Sequence, residues 1–343
     1  MLMSKQPSTD STAASSGDKT PVHALQRVLG DDIAALNHAI LTRMESPVPL
    51  INQLAAYIIA AGGKRLRPLL TLAIARALSY DGDDHLKLAA SVEFIHTATL
   101  LHDDVVDESD QRRGQPSANT MFGNQASVLV GDFLFSRAFE LMVETHSLDV
   151  LRILSNASAV IAQGEVMQLA STGNLALTSD EYFAVIGAKT AALFAAATEV
   201  GAVIAKADPA ITKAVHDYGQ ALGIAFQIAD DILDYQGSLD TMGKNSGDDF
   251  REGKITLPVV MALEQSTSEE RAFWERTLVE LKQNDFDFTH AQEILQKYNC
   301  IERSAEIARE YAQHAQQSLD VLPDGELRNI LKEIALFAVQ RSM

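Results

Sequence analysis

Residues 94–114 read FIHTATLLHDDVVDESDQRRG, and residues 226–254 read FQIADDILDYQGSLDTMGKNSGDDFREGK. The two stretches share one grammar. An apolar run of helical character closes on Asp-Asp-x-x-Asp, and a loop carrying basic residues follows. In the first, Asp103 and Asp107 stand at i and i+4, which puts their carboxylates on one helical face. Asp230, Asp231 and Asp234 repeat the arrangement in the second.

Working outward, the chain reads as helix after helix. Ala24–Met44 places Leu25, Val28, Leu29, Ile33, Leu36 and Ile40 close to a 3.6-residue period. Pro47 and Pro49 end that helix and open another to Ala61, Gly62-Gly63 breaks it, and Pro68 opens one to Ser79. Further helices are expected over 85–108, 118–145, 149–171, 179–205, 209–237, 255–265, 268–283, 289–298, 301–319 and 325–340. No stretch alternates as a strand would. Ala191–Ala205 and Ala221–Ile232 are apolar on most faces and belong inside a large bundle. The chain after about residue 266 is more polar and is expected at the periphery. The reading is all-α, with a Ser/Thr-rich tail over 1–22, expected to be disordered, and one helical domain over 23–343.

Composition narrows the function. Of 343 residues, 47% are apolar and only 6% aromatic, so the core is aliphatic. Net charge is −18, the wrong sign for a general nucleic-acid binder. One cysteine, Cys300, excludes a disulfide framework and a Cys-rich zinc site, and fits a reducing, cytoplasmic setting. Cys300 itself reads as structural. No targeting or transmembrane segment is expected. The nearest to a span is Ala191–Ala205, which contains Glu199 and is bounded by Lys189 and Lys206.

The chemistry lies in the repeated motif. Like charges one turn apart repel, so a cation must compensate. Oxygen-only ligands favour a hard ion such as Mg²⁺, held by few carboxylates plus substrate phosphates. One acidic cluster is equally well a solvated helix face. Two, each after an apolar run, argue for a site. Lys64, Arg65, Arg67, Arg112, Arg113, Lys244 and Lys254 sit in Gly-punctuated segments near these clusters. Flexible cations beside Mg²⁺-type carboxylates suit a diphosphate. Neither a Walker loop nor a GxGxxG is present, which disfavours a nucleotide. His96 lies two turns before Asp103 on the same face, and His102 directly precedes it.

GGKRLRP (62–68), IHTATLLHDDVVDESDQRRG (95–114), GAKTAALF (187–194), FQIADDILDY (226–235) and GKNSGDDFREGKITLP (243–258) together resemble the trans-polyprenyl diphosphate synthases, and within them the bacterial octaprenyl branch that makes the ubiquinone side chain. The resemblance spans about residues 24–343. It implies a bundle around a deep central cavity, a homodimer, and condensation of isopentenyl diphosphate onto an allylic prenyl diphosphate such as farnesyl diphosphate. It implies Mg²⁺ on Asp103 and Asp107, with Asp104 in the same cluster, and a further ion on Asp230 supported by Asp231 and Asp234. Lys64, Arg67, His96 and Arg113 fall at the isopentenyl side. Arg112, Lys189 and Lys244 fall at the allylic side, with Thr190 and Gln227 nearby and Lys254 as an added contact. Small residues before the first motif, Ala98 and Thr99, imply a long product. Phe135, Phe139 and Met142 share a face and read either as a tunnel floor or as an ordinary core stripe. A terpene cyclase would lack GGKRLRP, and a non-catalytic subunit would lack one acidic motif.

Overall fold

In the computed structural model, residues 20–60, 62–112, 114–236 and 247–340 are described. Thr20 accepts a hydrogen bond from the His23 amide and Pro21 takes the first helical position, so the chain enters helix earlier than expected. Pro21 and Val22, assigned to the tail from sequence, are helical, and Val22 is buried. The expected Ala24–Met44 helix is two: α1 (Pro21–Val28) and α2 (Gly30–Met44), which part at Leu29. α3 (Pro49–Ala60) follows, then α4 (Leu66–Ala77), which begins before Pro68. A proline in the first turn loses no intrahelical bond, so it marks a beginning only to within a turn.

α5 (Asp84–Val106) carries the first acidic motif and ends at Asp107, where Glu108 turns left-handed with φ 51°. A small hairpin follows, β1 (Gln111–Arg112) against antiparallel β2 (Gln115–Pro116). The single helix expected over 118–145 is broken at Gly123, whose φ of 86° separates α6 (Ala118–Phe122) from α7 (Asn124–Glu144). α8 (Leu148–Ser171) and α9 (Ser179–Ile186) come next. A π-helical turn, Gly187–Ala191, joins α9 to α10 (Ala192–Ile204). α11 (Pro209–Gln236) ends in the second acidic motif. The remainder is α12 (Asp248–Arg251), α13 (Leu257–Leu263), α14 (Ser268–Trp274) running into a second π-helical turn at Glu275–Val279, α15 (Asp287–Lys297), α16 (Cys300–Ser318) with a 3₁₀ turn at Leu319–Val321, and α17 (Glu326–Gln340).

α10 is the hub, packed on α4, α5, α8 and α11, while α5 lies against α7 and α11 against α16. Close approach needs small residues. A Cβ at Gly223 on α11 would sit 2.5 Å from the Ala191 Cα. The later helices are not a polar skin. Trp274, Leu278, Ile294, Leu295 and Cys300 are buried with Ile228, Ile232 and Phe250 in a second core. Their amphipathic pattern reported one polar face, and the other face was enough to build that core. Burial pushes the Cys300 thiol up to about 11, consistent with a packing role. Among the described residues one segment, Ser179–Ile204, is long and apolar enough to cross a membrane, and most of it is buried within the protein.

Candidate functional site

Two cavities hold charged residues of these segments. One lies between α2, α3, α5 and the hairpin, with apolar walls from Ile40, Ile58, Phe94 and Leu100 and polar groups from Arg65, His96 and Arg112. The other is lined by Gln168, Lys189, Thr190, Gln227, Asp249 and Lys254. Asp104 lines the first, and its neighbour Asp103 feels the charges of Lys189 and Glu165 around the second.

Asp103 is half-buried at the last turn of α5. Burial first, then Glu165 and Asp107, push its carboxyl up to about 7, against the pull of Lys189 and Arg112. Asp107 caps the helix and meets Lys254 Nζ at 3.3 Å, an ion pair joining the first motif to the loop behind the second. Lys254 loses to burial but is held well protonated by Asp107, Asp249 and Glu252. Asp104 points elsewhere: it is buried, with Arg112 Nη2 at 2.6 Å and Nε at 2.7 Å. Both contacts are made to Asp104 Oδ1, so the Arg112 guanidinium is held by Asp104.

The second motif divides likewise. Asp230 is exposed at the cavity end of α11. Asp231 is buried and accepts hydrogen bonds from the Tyr182 hydroxyl at 2.5 Å and the Gln227 amide at 2.7 Å. Gln227, which donates to Asp231, accepts from the Thr190 hydroxyl at 2.8 Å. Asp234 accepts the Asp248 and Asp249 amides at 3.2 and 3.1 Å, tying the start of α12 to α11. Burial raises the carboxyls of Asp231, Asp234 and Asp249, and their mutual repulsion adds to it.

Beside the first cavity, Arg67 Nη1 lies 3.0 Å from His96 Nε2, and its guanidinium stacks 4.3 Å over Phe194. Burial lowers the Arg67 pKa to about 10, which leaves it cationic at neutral pH. Lys64 is exposed, with its ammonium 5.6 Å over the Phe337 ring. Arg113 and Lys244 lie outside the described residues. His102 turns toward α7, where Nε2 meets the Val128 carbonyl at 3.2 Å and the ring stacks on Phe135.

Thr99 is half-buried and shares the face of Asp103, whereas Ala98, five residues before Asp103, is fully buried in the core on another face. The two therefore do not line one surface. Phe139 is exposed and Met142 fully buried, so that stripe does not face one cavity.

The polyprenyl synthetase family profile matches residues 48–297. The chain belongs to the polyprenyl synthetase family. The octaprenyl diphosphate synthase of Escherichia coli (strain K12) is 46% identical over 317 residues, covering 92% of this chain and 98% of that one. The decaprenyl diphosphate synthase structure from Rhodobacter capsulatus matches with a TM-score of 0.91 and 52% identity, covering 94% of this chain and all of that one. The polyprenyl synthase from Caulobacter crescentus CB15, solved with calcium and isoprenyl diphosphate, matches at 0.90 and 52%, over 94% of this chain and 98% of that one.

In this polyprenyl synthetase several site residues carried no sequence signal. Glu165 holds Lys189 Nζ at 2.6 Å, yet it reads as a lone acid on a polar helix face. Tyr182 reads as a core aromatic. Asp249 lies inside the quoted GKNSGDDFREGK motif, where the lysines draw the eye. The π turn that places Lys189 and Thr190 has the same apolar pattern as the helix around it.

The donor set is all carboxylate, the chemistry of a hard divalent ion. Among the described residues no three His, Cys, Asp or Glu side chains converge to form a metal cage alone. Asp103 and Asp107 at the end of α5 and Asp230 on α11 supply oxygen donors of the kind such an ion takes.

Proposed function

We propose that this chain is a long-chain trans-prenyltransferase that condenses isopentenyl diphosphate onto an allylic diphosphate, farnesyl diphosphate by preference, and releases octaprenyl diphosphate. The observation carrying this is a pair of cavities, each bordered by cations. One holds Lys189 and Lys254 beside the acidic motifs, and the other borders His96, which Arg67 meets.

Asp103, Asp107 and Asp230 would hold Mg²⁺, which when bound supplies Lewis-acid neutralisation of the departing diphosphate. Lys189 and Lys254 place ammonium groups where negative charge grows as the allylic carbon–oxygen bond breaks. Arg67 and His96 hold the isopentenyl diphosphate so that its double bond faces the allylic cation. The new carbon–carbon bond forms, and loss of a proton gives a chain one unit longer. Aliphatic walls keep water from quenching the cation. Arg112, held by Asp104, orders the hairpin beside the first cavity.

Exposed apolar residues of α7, Val128, Leu129, Phe139 and Val143, support a homodimer. The test is incubation with labelled isopentenyl diphosphate, farnesyl diphosphate and Mg²⁺, followed by chromatographic sizing. An octaprenyl product is expected. The greater identity to the decaprenyl relative favours ten units as the second reading, and the same sizing separates the two. No elongation would overturn the assignment.

A further inference from the structure

We propose that Glu165 is a positioning residue for the allylic diphosphate, acting through Lys189: it fixes the ammonium in place before the substrate arrives. This rests on the reading above that Lys189 meets that diphosphate.

Glu165 Oε2 lies 2.6 Å from Lys189 Nζ, and both side chains are largely shielded from water. The backbones are brought together as well. A Cβ at Gly164 would stand 2.5 Å from the Lys189 amide nitrogen, so only glycine lets α8 approach the π turn this closely. The π turn then ties successive side chains to different helices, Lys189 to α8 through Glu165 and Thr190 to α11 through Gln227. A carboxylate beside a diphosphate site is otherwise a liability, because it repels the ligand. Here the repulsion is offset by what Glu165 does to Lys189. A lysine carries four rotatable torsions and three N–H donors. Glu165 takes one donor and removes the wandering, which leaves two donors for the site. Preorganised donors act most strongly where charge develops in the transition state, so the effect belongs in turnover.

The test is a double-mutant cycle on the full chain with farnesyl diphosphate, isopentenyl diphosphate and Mg²⁺. Glu165→Ala is expected to lower kcat about tenfold, the size of one charge-assisted contact, and to leave the KM for isopentenyl diphosphate unchanged. Glu165→Gln should recover most of the loss, because its amide oxygen still accepts from Nζ. In a Lys189→Ala background, adding Glu165→Ala should cost nothing further. Losses that multiply in the double variant would overturn the proposal, as would an equal rise in both KM values. Faster turnover with tighter inorganic diphosphate binding in Glu165→Ala would also overturn it, by making Glu165 a competitor for Lys189. Melting curves confirm that each variant is folded. A wild-type enzyme that fails to elongate refutes the broader assignment, whereas an active wild type with multiplying losses refutes only this inference.

Discussion

Neutralising Asp103 separates its cost in stability from its use in turnover. Its folded pKa of about 7 stands above the ordinary aspartate value of 3.8, so the charged form is disfavoured by the fold. That cost begins as pH rises past the unfolded pKa and is complete above the folded one. With metal removed by chelator, Asp103→Asn should therefore melt higher than wild type above pH 7, and the gap should close toward pH 4. Turnover in the same variant should vanish, as it should in Asp230→Ala. A lower melting temperature at pH 8, or near-normal turnover at saturating Mg²⁺, contradicts the assignment. Arg67 tests the other cavity. Arg67→Ala should raise the KM for isopentenyl diphosphate about ten- to hundredfold and move that of the allylic partner far less. Titrating each substrate against a saturating level of the other is the measurement, and equal shifts count against two separate sites. At this scale the sequence was most informative for residues that repeat. Asp103, Asp107 and Asp230 stood out because two clusters followed two apolar runs. Glu165 and Tyr182 did not, since one polar residue on a helix face looks the same whether it meets water or a lysine.

Elements are fastened by pairs remote from the chemistry. Arg76 on α4 grips Asp32 on α2 at 2.7 and 2.8 Å, and the buried His85 of α5 reaches the same carboxylate at 3.2 Å. The Arg76 hydrogen bond, with help from His85, holds the Asp32 carboxyl below its usual range despite burial. A depressed carboxylate pKa stabilises above the unfolded value and is lost as pH falls through the folded one. Arg76→Ala should cost about 1–3 kcal/mol at pH 7, and the penalty should shrink below pH 4. Denaturant melts at pH 7 and pH 3 measure this; a pH-independent penalty would mean lost packing and no ion pair. Helix existence was legible from periodicity, but the breaks at Leu29 and Gly123 were not. Apolar residues keep their spacing across a one-residue kink, so the pattern continues while the backbone bends. The hairpin was missed because two residues per strand are too few to alternate.

Across the whole molecule, the proposed mechanism has the product grow from the Asp103 end of α5 through a bundle packed from aliphatic side chains. Thr99 shares the face of Asp103 and keeps some exposure, so a ring there projects straight into the path beneath the first motif. Ala98 is sealed in the core, so a ring at 98 must displace its neighbours, at a cost of about 1–3 kcal/mol, before it reaches that path. Thr99→Tyr and Ala98→Tyr should both leave the first condensations working, because neither touches a diphosphate contact. Both should shorten the product to about three or four isoprene units, the length set by a block one turn below the ionising carbon. Only the Ala98 variant should melt clearly lower than wild type. Product sizing and melting curves on the same preparations decide the matter. Full-length product from two folded variants would show that the chain leaves by another face of α5, and the small residues before the first motif would then say nothing about product length.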